Sequence, residues 1–512
     1  MKRTLFIIVA TIISNVIVAQ GALDALTYSQ IRYEGTARSM AMGNAFTSLG
    51  GDTYAISINP AASGIYRYSE FAVTPAITHD KSSTLYIGNR ENEGWTKFGI
   101  SNLGFVGHIP VSDRPYGLKS ISFGVAVNKL NNFSSRSVTS GVNEESSWLG
   151  SLADTLSILR INNANLDITD NWNPFYDFRS APWKAILAWN SNLLDPLPDS
   201  DEEYIGATEN IRGNKIMLGG PLNQEFYRER SGNLSEIVLN ASVNISDRFF
   251  VGANVGVQTL SFYDYQRYSE SAVNTSNFDS RFESFSHAYR LNSNGAGVNL
   301  KVGFIVLPFA GLRLGASIAT PTWSFITDEW DEKINAKYSD GYKSQVLSPY
   351  GEYSYRINSP MRFNLGASYI FGKVGILSVD YEGVNYSTIK MMTESGDAFE
   401  FRDDNKYIKD NFQSTGILRA GVEIRPSEAF AIRGGYTKYG NPEKNLASDV
   451  QYVSAGLGYR SGKGSFIDVA FQTRVKSEEK STLYDSYTNH IAPIATLESS
   501  GWKVLMTLGF RF

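Results

Sequence analysis

Gly501-Trp502-Lys503-Val504-Leu505-Met506-Thr507-Leu508-Gly509-Phe510-Arg511-Phe512 decides the fold. Strand side chains point to opposite faces with a period of two. Trp502, Val504, Met506, Leu508, Phe510 and Phe512 therefore share one apolar, aromatic face. The other face carries Lys503, Thr507, Gly509 and Arg511. A strand with a greasy outside and a polar inside suits the wall of an outer-membrane barrel, with lipid on one side and a lumen on the other.

The start of the chain supports that address. Lys2 and Arg3 precede an apolar run from Leu5 to Val18, and Ile17-Val18-Ala19 suits signal peptidase. The expected organisation is a signal peptide over 1–19, cleaved after Ala19, a plug over 20–67 and a transmembrane barrel over 68–512. The run is short for a spanning helix, and no later stretch offers the roughly 20 apolar residues a helical span needs. Mean hydropathy is only −0.22, which does not argue against a barrel, because half of each strand is polar. The 29 Tyr, 29 Phe and 45 Gly fit aromatic girdles and glycine-tolerant strands.

Composition also excludes chemistry. With Cys at 0, there is no disulfide, thiolate nucleophile or cysteine metal site. The net charge of −4 and the lack of a basic stripe argue against nucleic acid. His79, His108, His287 and His490 form no local metal pair. No Gly-x-Ser-x-Gly elbow or phosphate loop is present. The expectation is a non-enzyme without metal or cofactor.

Alternation predicts fourteen antiparallel strands, from Ser69–Thr78 to Gly501–Phe512, with Leu312–Phe325 and Tyr350–Phe371 each read as one strand. Short links alternate with long ones. Ser246-Asp247, Pro308–Gly311, Gly372-Lys373, Pro426-Ser427 and Ser461–Gly464 read as periplasmic turns, and the longer links as outer loops. In Met361–Tyr369, a one-residue slip would turn Arg362 to lipid, at roughly 2–4 kcal/mol near the midplane, so the register is well determined. The inward set includes Arg313, Arg362, Arg419 and Arg433. Two readings stay open for these cations: a salt-bridge lattice bracing the wall, or receptors for a ligand's anionic head group.

Two segments do not read as wall. Leu23–Tyr66 has helix-compatible patterning from Ala37 to Leu49, ended by Gly50-Gly51, with Asp52 placed to cap a second helix. It is expected to plug the lumen. Asn131–Asn233 is too long for a plain loop. Its Trp148, Phe175, Trp183 and Trp189 belong either to an outer capture surface for a hydrophobic ligand or to a small self-packed lid.

The plug carries a recognisable signature. Gly35-Thr36-Ala37-Arg38-Ser39-Met40-Ala41-Met42-Gly43-Asn44-Ala45-Phe46-Thr47 precedes Gly51-Asp52 and Asn59-Pro60-Ala61-Ala62. It resembles the hatch of the FadL/OmpP1/TodX family, outer-membrane transporters of long-chain fatty acids and aromatic hydrocarbons. Asn44 stands where that family often has Gly, and Ile58 where an aromatic is frequent. Ser359–Gly366, Ser378–Glu382, Arg419–Glu423 and Arg433–Tyr436 resemble its Bacteroidetes-type branch. The resemblance implies a fourteen-stranded barrel with a gating hatch. It also implies passive uptake of a fatty acid or hydrocarbon, and lateral release into outer-membrane lipid by a monomer. Gly35, Arg38, Met40, Gly43, Asn59, Pro60 and Ala61 are the gating candidates. Pro60 stiffens the corner at Asn59, as a hinge or as an ordinary helix stop. The lateral exit is expected at the third strand, Gly117–Leu130, with Gly124 its weak point. The reading from another class is a surface receptor or adhesin, including a haem binder, that uses the long loops.

Overall fold

The computed structural model describes residues 21–177, 181–213, 215–444, 448–462, 464–488 and 490–512. The expected signal peptide and its cleavage after Ala19 lie outside the described residues.

Fourteen antiparallel strands close into a barrel. They are β1 Glu70–Tyr86, β2 Asn89–Pro110, β3 Leu118–Asn132 continued by Ser135–Asn143, β4 Leu222–Ile245, β5 Phe249–Ala272 and β6 Phe282–Val306. Next come β7 Leu312–Ala319 continued by Trp323–Tyr338, β8 Gly351–Asn358 continued by Arg362–Phe371, and β9 Gly375–Asn385. The wall finishes with β10 Ser414–Ile424, β11 Phe430–Tyr439, β12 Val450–Arg460, β13 Ser465–Thr482 and β14 Ile494–Arg511. Each strand pairs with its sequence neighbours, and β14 pairs back onto β1 from Glu70↔Arg511 to Leu85↔Thr496. No exposed sheet edge remains at the join, which is what closure achieves physically.

The burial pattern is inverted relative to a soluble protein. Phe304, Leu365, Leu377, Leu457 and Phe510 are exposed, while Arg362, Asp380, Arg419, Glu423 and Asp468 are buried. Along β6, Phe304, Val302, Leu300, Val298 and Ala296 face out, followed by Asn294, Asn292 and Arg290. The apolar belt therefore ends partway up the strand. Strands β4, β5 and β6 have 24, 24 and 25 residues, where roughly 9–11 suffice to cross a bilayer. Their outer halves form a polar wall above the lipid. This explains why β1 and β2 extend beyond the predicted strands: residues 79–96 are polar on both faces and give no alternation to read. They form a hairpin closed by Ile87 (φ 46°) and Gly88 (φ 77°), a left-handed pair of the type that matches strand twist. The Ser246-Asp247 turn at the opposite end of the barrel uses the same device, with φ 58° and 55°.

Two predicted strands are interrupted. β7 breaks over 320–322 around Pro321, and β8 over 359–361 around Pro360. Proline supplies no ladder N–H. Side chains repair the ladder: Thr320 Oγ1 accepts from Leu300 N at 3.0 Å, and Ser359 Oγ accepts from Thr322 N at 2.9 Å.

The segment from Gly21 to Tyr66 fills the barrel interior. Residues 21–29 form a helix, α1. After an extended stretch come α2 (Ala37–Ala41), α3 (Ala55–Ile58) and a 3₁₀ turn (Pro60–Ile65). The long helix predicted from Ala37 to Leu49 is five residues instead. Gly43 and Asn44 take left-handed φ of 62° and 58° and turn the chain out of it. No helix among the described residues is long and apolar enough to cross a membrane; the strands do so.

Candidate functional site: plug, lumen and seam

The plug motif is a packing device built residue by residue. Thr36 caps α2, its Oγ1 accepting from Ser39 N at 3.1 Å and donating to Asp52 Oδ2 at 2.8 Å. Asp52 Oδ1 also accepts from Tyr54 N at 3.0 Å, so one carboxylate ties both ends of the turn. Gly35 leaves room for the Tyr54 ring, 2.5 Å from where a Cβ would stand. Arg38 donates to Glu423 on β10 at 3.1 Å and to Gly51 O at 2.9 Å. Met40 is buried, its Sδ 3.3 Å from Asn44 Nδ2. Asn59 Nδ2 bonds Thr47 O at 2.7 Å and Phe304 O at 3.1 Å, while its Oδ1 caps the 3₁₀ turn through Ala61 N at 3.0 Å. Pro60 starts that turn, where a missing N–H costs nothing. Ala61 packs against Phe250 and Ile305 of the wall.

The wall answers with glycines. A Cβ on Gly315 would stand 2.3 Å from Thr47 O, on Gly421 2.3 Å from Met42 O, and on Gly435 2.2 Å from Gly43 N. Only a glycine strand face lets the plug backbone approach so closely. Gly124 belongs to this set rather than to a bend. It pairs regularly with Val106 and Asn240, and a Cβ there would stand 3.2 Å from Ile56 Cδ1.

The inward cations are mostly occupied. Arg362 and Arg419 share Glu382, Arg362 at 2.6 Å. Arg433 binds Glu423 at 2.7 Å and Asp468 at 2.5 Å. These three are not free head-group receptors, which corrects that reading in favour of the bracing lattice. Arg313 instead donates to Leu49 O of the plug at 2.5 Å, close to the periplasmic turn. The reason is electrostatic: a buried guanidinium is tolerated only when paired and hydrogen-bonded.

On the outer side of the plug, α1 occupies an apolar chamber. Leu26 and Tyr28 pack with Phe133, Phe262, Leu291 and Tyr355, Tyr28 and Phe262 at 5.4 Å between ring centroids. Arg228 and Arg230 of β4 flank the chamber. Arg228 is bidentate to Asp264, whereas Arg230 reaches the same carboxylate only at 3.6 Å. Buried Nε groups of Arg230 and Arg474 have no hydrogen-bond partner. Asp24 of α1 lies in the field of Arg228 and Arg230. Sequence reading missed these arginines because they stand above the lipid belt, where alternation fades.

A lid roofs the chamber. Helices α4 (Trp148–Leu159) and α5 (Trp183–Asn190) pack with the 483–493 loop into one core. Trp148 stacks on Phe285 at 5.3 Å, Phe175 meets Trp183 at 5.3 Å, and Trp189 meets Tyr204 at 5.8 Å. Of the four aromatics read as either capture surface or self-packed lid, Trp148 and Phe175 are buried in the lid core, and Trp183 and Trp189 pack against it half-buried. Trp183 also reaches down to Trp330 on β7 at 5.5 Å, joining the lid core to the chamber. Glu270 of β5 docks the lid: it accepts from Ser147 Oγ at 2.6 Å and from Trp148 N at 2.8 Å, at the N-terminus of α4. Burial pushes the Glu209 carboxyl, within the lid, up to about 7. At the upper rim, beside the β1–β2 tip, lies a groove of about 800 Å³ with a mixed lining that includes Ile87, Ser140, Val142, Glu270, Phe285 and Lys337.

The third strand does leave its neighbour, but above Gly124. The β2–β3 ladder ends at Asn102↔Asn128, and the β3–β4 register shifts between Lys129 and Asn131. Beyond it, β2 and β3 meet only through side chains among the described residues. Arg136 covers the Trp95 ring at 4.4 Å, and Lys97 Nζ lies 3.4 Å from Ser134 Oγ. The plug takes the vacated backbone positions: Arg32 N donates to Leu130 O at 2.7 Å, and Glu34 N to Lys129 O at 3.0 Å.

No protein-family model and no curated protein matches this sequence. Solved structures do. The Pseudomonas putida toluene transporter TodX aligns with a TM-score of 0.52 at 13% identity, covering 94% of this chain and 99% of that one. A Pseudomonas aeruginosa FadL homologue aligns with a TM-score of 0.56 at 13% identity, with the same coverage of 94% and 99%. At that identity the likeness establishes the fold, a plugged fourteen-stranded barrel of this kind.

Proposed function

We propose that this chain, which has the barrel fold of those channels, takes up hydrophobic small molecules across an outer membrane, long-chain fatty acids first. One observation carries the reading. An apolar chamber lies between plug and lid, it is occupied by the protein's own helix α1, and Arg230 at its flank holds a buried Nε that makes no hydrogen bond, 3.6 Å from Asp264. The ligand enters past the Trp183–Trp330 contact and displaces α1. Its tail takes the place of Leu26 and Tyr28, and its carboxylate meets Arg230. It leaves sideways through the seam between β2 and β3, where plug and side chains stand in for a ladder. Each methylene returned to lipid gains roughly 0.8 kcal/mol, so release is downhill without an energy source.

The test uses purified protein in detergent and a fluorescent long-chain fatty acid. Arg230→Gln should weaken binding about tenfold, the scale of one charge-assisted hydrogen bond. Removing residues 21–29 should strengthen it by vacating the chamber. If neither change alters binding, and mass spectrometry finds no co-purifying lipid, this function is lost.

A further inference from the structure

Glu34 is a carboxylate buried inside a membrane-protein wall, 4% exposed. Lys503 of β14 bonds its Oε1, and Lys129 of β3 lies 4.0 Å from its Oε2. A third lysine stands on the same level. Thr78 of β1 pairs with Lys503 on one side and with Lys97 on the other. Among the described residues, Lys97 has only Ser134 Oγ, at 3.4 Å. Asp80 lies beside this cluster in the fields of Lys503, Arg474, Glu34 and His79, and Arg474 is also faced by Arg32 and Glu479. Without Glu34, Lys129 and Lys503 lose the carboxylate they share, and Asp80 remains beside Lys503 and Arg474.

The position matters as much as the charge. Glu34 reaches this cluster at the level where β2 and β3 part, and its own backbone fills the missing ladder position. Phe98 and Ile100, on the outer face of β2 beside the seam, are exposed. An amphiphile threading the seam would meet cations for its head on the inside and apolar side chains for its tail on the outside.

We propose that the lysines at the seam form a carboxylate site that Glu34 occupies as a built-in surrogate for the ligand's head group. The inference rests on the uptake reading and names the substrate class of its exit: single-chain amphiphiles with one anionic head. Plug withdrawal removes Glu34 and leaves Lys129 and Lys503 to take the incoming carboxylate. The seam is then a selective exit, and uncharged hydrocarbons gain nothing from it.

The experiment compares binding of a fluorescent long-chain carboxylate and its matching alcohol to the full mature chain in detergent. Glu34→Gln should tighten carboxylate binding about tenfold by raising the fraction of competent sites. The alcohol should bind as before. Adding Lys129→Gln and Lys503→Gln should abolish the gain. Glu34→Asp keeps the charge but shortens its reach, so it guards against misfolding and should give a smaller gain confined to the carboxylate. No gain in either Glu34 variant, or an equal gain for the alcohol, overturns the proposal. If the wild type binds neither probe, the chamber reading fails. A carboxylate-only signal appearing in Glu34→Gln still supports the seam site, and its absence there refutes it.

Discussion

Asn59 and Gly303 interlock: the Oδ1 of Asn59 lies 2.1 Å from where a Cβ on Gly303 would stand. The plug's asparagine and the wall's glycine are therefore one fitted unit. Gly303→Ala should leave the strand intact and force Asn59 off Phe304 O. Overpacking of this kind costs about 1–3 kcal/mol. The expected result is a folded barrel with a loosened plug, seen as increased conductance in planar bilayers.

Pro60 follows Asn59 at the start of the 3₁₀ turn, and Asn59 is extended at φ −131°, ψ 114°. Proline holds the preceding residue in that region. Pro60→Gly should soften the corner and reduce fatty-acid uptake more than fatty-acid binding. Equal loss of both would count against a hinge.

Arg419 is fully buried and pairs with Glu382, which Arg362 also holds. Arg419→Met leaves Glu382 still paired with Arg362, so it should lower the unfolding free energy in detergent by less than the roughly 3–5 kcal/mol of a pair broken to strand one charge. A surface pair such as Lys373–Glu428 should give no measurable change when removed.

The lid should loosen as pH rises. Burial raises the Glu209 carboxyl to about 7, and no cation is among the groups that act on it: Gly206 N donates to it, while Asp154 and Glu270 repel it. A carboxyl with a raised folded value favours the folded lid fully only below its ordinary value near 4.3. That contribution is lost as pH climbs through about 7. Proteolysis within 144–221 should be faster at pH 8 than at pH 6, and Glu209→Gln should flatten the difference.

Trp183 and Trp330 form the ring contact between lid and chamber. Trp183 is half-buried, and Trp183→Ala removes the lid's half of an aromatic pair, a contact of about 0.5–1.5 kcal/mol beyond its area burial. Hydrogen exchange should quicken in α5 and leave β9 to β12 unchanged.

The chain's own order of residues determined the barrel. Period-two alternation, short turns on one side and the cost of turning Arg362 or Arg419 to lipid left one register, because each strand reports its two faces locally. The plug signature was legible too, although its helix proved shorter once Gly43 and Asn44 turned left-handed. What the sequence could not reveal depends on which distant atoms meet. Gly124 read as a bend, and only the folded chain shows it as space for Ile56. The four lid aromatics read equally well as surface or core until Phe285, Tyr204 and Trp330 arrived from other strands. Lys129, Lys503 and Glu34 come from three segments far apart in the sequence. Their shared charge balance exists only because the barrel closes and the plug is threaded back through it.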